Sequence, residues 1–140
     1  MSAPTAVGMA LARAAEALVG TSFRLHGRDP ATGLDCLGLV AASLDAIGRP
    51  AKLPNGYRLR ARDVAALISQ AGPCGAFAAS GPIEAGDVAL VRIGPGQFHM
   101  LIATGPSHFV HAHAGLRRVV ACDGPMEWPI VSHWRLADNP

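Results

Sequence analysis

Between residues 87 and 137 the chain runs through five strand-like segments, "DVALVRI", "QFHMLIAT", "HFVHAHA", "LRRVVAC" and "IVSHWRLA", with Gly or Pro punctuating the breaks between them. The helical patterns all come earlier. Thr5 to Val19 is rich in Ala and Leu, with Thr5 placed to cap the start and Gly20 to stop the end. About Cys36 to Ile47 carries Cys36, Val40, Leu44 and Ile47 at helical spacing and stops at Gly48. After a loop, "AKLPNGYRLR", a third helix is expected in "ARDVAALISQAG", ended by Gly72 and Pro73. Helices first and strands afterwards predict an α+β domain, with the N-terminal helices packed on an antiparallel sheet rather than alternating with parallel strands.

At 140 residues, with no internal repeat or linker-like tract, the sequence reads as a single domain over 1–140. A domain of this size buries roughly 70% of the surface its unfolded chain exposes, so a core forms without disulfide or metal staples. Half the residues are hydrophobic but only 5% are aromatic, which points to an Ala, Leu, Val and Ile interior and away from extensive base stacking. Lys and Arg exceed Asp and Glu by 12 − 10 = 2 and are scattered, so a nucleic-acid footprint is not expected. The apolar "SAPTAVGMALARAAEALVG" is interrupted by Arg13 and Glu16 and reads as a soluble helix, not a signal peptide or membrane span. No membrane partner is expected, and the chain is expected to be made in the cytoplasm. The three cysteines include no CxxC pair, so neither a disulfide framework nor a zinc knuckle is signalled, and no cofactor is expected.

One of those cysteines stands at the front of a helix, in "GLDCLGLVAASLDAIG". The first amides of a helix lack internal partners and its dipole favours negative charge there, so a thiolate at Cys36 would be stabilised and the same amides could hold an oxyanion. A buried structural cysteine is the competing reading, and the commoner one for a lone Cys on an apolar stripe. Histidines add to the first. In "FHMLIATGPSHFVHA" two alternating segments meet at Thr104-Gly105-Pro106, which predicts a hairpin with Ala103 opposite Ser107 and His99 directly opposite His111. Their Cβ atoms would lie about 5 Å apart on one face, together with Leu101, Ala103 and Phe109, and the Cys36 helix is the expected cover of that face. Nucleophile, base and orienting group would then be Cys36, His99 and His111. With His113, which shares the strand face of His111, the pair could instead form a metal site, although no carboxylate or thiolate stands at ligand spacing. His108 falls on the opposite face, His26 and His133 lie in unpatterned surroundings, and Cys74 and Cys122 lack both helix amides and a base.

These residues carry a resemblance. "GTSFRLHGRDPATGLDCLGLV" followed by "GDVALVRIGPGQFHMLIATGPSHFVHA" resembles the NlpC-type peptidoglycan cysteine peptidases, a papain-like family whose pattern runs Gly-x-Pro-Tyr, Asp-Cys-Ser-Gly, a Gly-Asp strand, His and a third polar residue. The match covers roughly residues 17 to 114 in family order. It implies a papain-like α+β fold, Cys36 as nucleophile, His99 as general base, His111 as third member, and hydrolysis of an amide bond in cell-wall stem peptides. The Leu-Gly version of the motif and the short chain look most like the subgroup encoded with phage-tail and gene-transfer-agent genes. That implies tail proteins as partners and incorporation in a tail particle. Leu37 replaces the family's usual Ser beside the nucleophile, so the usual specificity does not carry over. Phe23 stands where a Tyr hydroxyl often assists, and losing such a donor costs on the order of 10²-fold elsewhere, so lowered activity is expected. Asp35 matches the family Asp implied to recognise a substrate amine, and equally suits a helix N-cap worth about 1 kcal/mol. Gly38 in the first turn costs about 1 kcal/mol relative to Ala, which points to close approach of either substrate or a neighbouring backbone. Two rival readings remain: a structural or wall-binding tail component with the same fold, and a zinc hydrolase built on His99, His111 and His113.

Overall fold

The computed structural model describes residues 5–50 and 75–138. Helix α1 (Ala6–Ala17) starts where the Gly8 amide donates to the Thr5 hydroxyl, 3.0 Å. Helix α2 spans Cys36–Ala46, and Gly48 follows in the left-handed region, φ +77°. Between them lies a two-residue ladder, β1 (Arg28–Asp29) with β2 (Gly33–Leu34), in a stretch whose glycines read as turn alone. Six strands then form one antiparallel sheet: β3 (Ala76–Ala78), β4 (Val88–Gly94), β5 (Gln97–Gly105), β6 (His108–His113), β7 (Arg118–Asp123) and β8 (Ile130–Leu136), in the order β3-β8-β4-β5-β6-β7. The α+β expectation and the five late strands hold. Strand β3 lies in a small-residue stretch read as loop, and the expected third helix and Cys74 lie outside the described residues.

Both faces of the sheet are covered. Val88, Leu90, Met100, Ile102, Val110 and Ala112 meet Leu11, Leu37, Val40 and Leu44 of the helices. On the reverse face Ala89, Val91, Leu101, Ala103 and Phe109 form a second cluster, closed by Ile83, Met126 and Trp128 from connecting segments. The cover expected for the Leu101, Ala103 and Phe109 face was helix α2, and this is corrected. A strand apolar on both faces, such as "VALV", carries no alternation that says which face meets a helix.

The hairpin register is corrected too. Ala103 pairs with Phe109 and Ile102 with Val110, while Gly105 pairs with His108 across a register shift, so Ala103 does not face Ser107. The turn falls at Pro106–Ser107 instead of Thr104–Pro106, and Thr104 is left over as a one-residue bulge; together they slide β6 by two positions. Continuing the register would set Leu101, not His99, opposite His111. In fact the pairing ends at Ile102 and Val110. Beyond it Ala89–Arg92 hold β5 alone, and His111–His113 pair with β7 alone. The two strands part, and the gap between them is where the site opens.

One buried ion pair anchors the sheet. Asp87, fully buried, accepts from Arg135 Nε and Nη2, both at 2.9 Å, and also from the Glu84 amide. This fork ties the start of β4 to β8. The preceding Gly86 has φ +90°, and a Cβ there would strike the Gly8 backbone, so the Gly-Asp pair of the motif is a packing device where α1 meets the sheet.

Candidate active site

The start of α2 is clamped by its own cap. Asp35 accepts from the Gly38 amide with Oδ1, 2.7 Å, and from the His26 amide with Oδ2, 3.0 Å. Both carboxylate oxygens are therefore engaged by backbone, and the capping role expected for Asp35 is present. His26, which sequence patterning left without a role, adopts φ 62°, uncommon for a residue with a side chain, and in doing so aims its amide at Asp35. Gly38 packs against Gly27: a Cβ at position 38 would run into the Gly27 carbonyl. Of the two approaches left open for Gly38, the one seen is by neighbouring backbone.

Cys36, the first residue of the helix, reaches the parted strands. The amide of Met100, next in chain to His99, hydrogen-bonds its sulfur. Burial nonetheless pushes the thiol up to about 11; the Met100 and Leu37 amides and the charge of Arg28 pull it down, and Asp35 pushes it further up. Helix position was expected to favour the thiolate. Desolvation wins, because the sulfur is packed against the apolar α2–sheet core.

Across the gap His99 Nε2 lies 3.1 Å from His111 Nδ1, with the rings edge to face and their centroids 5.2 Å apart. The two histidines meet diagonally over the opening rather than as opposed partners. Burial lowers His99 to about 4, helped by the charges of His111 and His113, and burial lowers His111 to about 4, helped by His113. At neutral pH the site therefore holds a thiol and two uncharged imidazoles. Cys36, His99 and His111 all line one cavity of about 500 Å³, with Phe23, Leu37 and Asp35 on its wall. Leu37 is almost wholly buried in the core and shows the cavity only an edge. Phe23 is held by its amide on Arg117 and a bridge to Leu34.

Sequence patterning missed other wall residues: Leu25, Ile93, Gln97, Phe98 and Trp128. Trp128 stands edge-on to both imidazoles, 6.1 Å from each. Its placement depends on the β7–β8 connection and had no periodic signal. His113 lines the cavity as well, and its Nδ1 accepts the Leu116 amide at 3.0 Å. Among the described residues no three His, Cys, Asp or Glu side chains are arranged to hold a metal ion, so the zinc reading has no ligand set there. His108 pairs with Asp123 on the surface, 2.6 Å, and His133 lies 3.7 Å from Asp87, away from the cavity. Cys122 packs on the reverse face, its thiol raised by burial.

With this geometry in hand, the chain can be set beside known proteins. No protein-family model matches the sequence. No curated protein matches it either. Its fold, however, is that of NlpC/P60 domains. NlpC2 from Trichomonas vaginalis superposes with a TM-score of 0.67 at 16% identity, over 91% of this chain and 47% of that one. A lipoprotein-like NLP/P60 family protein from Staphylococcus aureus gives 0.64 at 19%, over 99% and 44%. The peptidoglycan hydrolase RipB from Mycobacterium tuberculosis gives 0.59 at 18%, over 91% and 63%. The chain thus spans less than half the length of the first two. Among the described residues no helix is long and apolar enough to cross a membrane.

Proposed function

We propose that the chain is a cysteine peptidase that hydrolyses amide bonds in peptidoglycan stem peptides, with Cys36 as nucleophile, His99 as general base and His111 as the group that orients it. The observation that carries this reading is the 3.1 Å contact of His99 Nε2 with His111 Nδ1 in the cavity that Cys36 also lines. With its proton on Nε2, His99 donates to His111 and leaves Nδ1 as a lone pair for the thiol. Because thiol and imidazole are both neutral at rest, the proton moves to His99 as sulfur attacks the carbonyl carbon, rather than in advance. Asp35 engages the Gly38 and Leu39 amides, which leaves the backbone amide of Cys36 as the α2 donor to the developing oxyanion. Collapse expels the amine, which takes the proton from His99, and leaves a thioester that water then hydrolyses with His99 again as base.

The substrate assignment draws on the sequence resemblance and on the fold shared with RipB, a peptidoglycan hydrolase. The tail-particle setting, with tail proteins as partners, draws on the resemblance alone. Cys36→Ala is expected to abolish release of muropeptides from purified peptidoglycan, read by mass spectrometry, while circular dichroism stays native. Equal release by wild type and variant would overturn the reading. A second reading, a wall-binding or structural component on the same fold, is favoured by the raised thiol and by Phe23 and Leu37. It predicts that wild type binds peptidoglycan in a pull-down yet releases nothing.

A further inference from the structure

The three rings at the gap form one cluster. The indole of Trp128 is edge-on to His99 with an interplanar angle of 84° and to His111 with 85°, at the same 6.1 Å centroid distance from each. It straddles the junction of the two imidazoles rather than packing on one. Its own position is fixed from behind: Trp128 and Met126 pack on the reverse-face cluster of Ala89, Val91, Leu101, Ala103 and Phe109. Pro129 follows it directly and Pro125 lies in the same connection, which restricts the backbone that carries the ring.

The gap that creates the cavity also creates a problem. Where β5 and β6 part, no ladder bonds hold His99 and His111 together, and an imidazole–imidazole hydrogen bond open to water is readily exchanged for bonds to water. Swapping that bond would free the His99 ring to turn, and with it the nitrogen needed at the sulfur. An apolar body laid edge-on against both rings removes the competing water and limits rotation of each ring.

We infer that Trp128 is a positioning residue: by straddling His99 and His111 it keeps their Nε2–Nδ1 hydrogen bond dry and so fixes which nitrogen of His99 faces Cys36. What the positioning accomplishes rests on the proposed role of His99 as base; that Trp128 shields the pair does not. The titratable groups sharing the cavity with the pair are Cys36 and Asp35 at the α2 start and His113 on β6, and substitution at 128 leaves all three in place.

The test is an NMR titration of the imidazole protons in the full chain, for wild type, Trp128→Phe and Trp128→Ala. The depressed titration of His99 and His111 should rise by about half a unit in the phenylalanine variant and by more in the alanine variant, toward 6.5. Should the alanine variant fail to fold, the phenylalanine variant still reads the effect. Against peptidoglycan, Trp128→Ala should lower kcat about tenfold with KM unchanged, and should cost clearly less in a His111→Ala background, where the hydrogen bond it shields is already gone. Unchanged titration of both histidines in the folded variants would overturn the inference, as would a raised KM with unchanged titration, the signature of a substrate platform. The titration reads the rings whether or not any amide is cleaved. A failure of the hydrolytic reading is thereby told apart from a failure of this one.

Discussion

His99 has two ring nitrogens, and the fold engages one of them. In the proposed tautomer His99 Nε2 donates to His111 Nδ1, 3.1 Å away, and the chemistry at the other nitrogen depends on that acceptor. His111→Asn, which can keep an acceptor oxygen there, should retain more turnover than His111→Ala, and the latter should lose on the order of 10²-fold of a base contribution that is typically about 10²- to 10⁴-fold. Steady-state kcat for the two variants checks this; equal losses would mean that His111 does not act as an acceptor. The pH profile belongs to the same scale. Below about 4 His99 is protonated and cannot take a proton, and above about 11 the thiol is ionised, so kcat/KM should hold from acid to alkaline pH with its acid limb near 4 instead of 6.5. The residue types and spacing of this site were legible in the sequence. The sign of the Cys36 shift was not, because a helix start argues for the thiolate and only the packing around the sulfur reveals the burial that outweighs it.

At the scale of elements, α2 is positioned less by its own propensity than by what its first turn touches. The Asp35 carboxylate grips the Gly38 and His26 amides, and Gly38 lets the Gly27 carbonyl lie against the helix. In an open helix Gly→Ala would stabilise by about 1 kcal/mol. Here the added methyl meets backbone, which cannot swing aside as a flexible side chain can, and such overpacking costs about 1–3 kcal/mol. Gly38→Ala should therefore lower stability by about 1 kcal/mol net in urea unfolding, and an increase would show that the contact yields. The strands β4 to β8 were readable because aliphatic runs between Gly and Pro leave few other options, and α1 because Thr5 and Gly20 bracket it. Strand β3 was not. Ala76, Phe77 and Ala78 carry no pattern of their own and become a strand only by pairing with Leu136, Arg135 and Trp134. Nor was the hairpin register, which the turn at Pro106–Ser107 and the bulged residue at Thr104 decide together.

At the scale of the whole molecule, the α2 terminus, the parted strands and the β7–β8 connection must close on one another for the site to exist, so burying the site and folding the domain are coupled. Alternation placed His99 and His111 on one face but could not show that this face is the one away from the helices, since both faces are apolar. The coupling has a measurable consequence. Folding lowers His99 and His111 from 6.5 to about 4, so between those values the unfolded chain binds protons that the native site refuses. Stability contributed by the neutral rings is fully present above pH 6.5 and is lost as pH falls toward about 4. For one ring the loss is on the order of 3 kcal/mol at most, and for two coupled rings less than twice that. It is still a large share of the roughly 5–15 kcal/mol of a typical domain. Cys36 works at the other end: with its folded value raised to about 11 from 9.0, its contribution is present below pH 9 and fades as pH rises toward 11. Urea midpoints measured from pH 4 to 7 should fall steeply on the acid side in wild type and much less in His99→Gln/His111→Gln, whose side chains stay neutral. An acid slope of equal size in both would place the lost protons elsewhere in the fold, because no group outside the substituted pair changes between the two proteins.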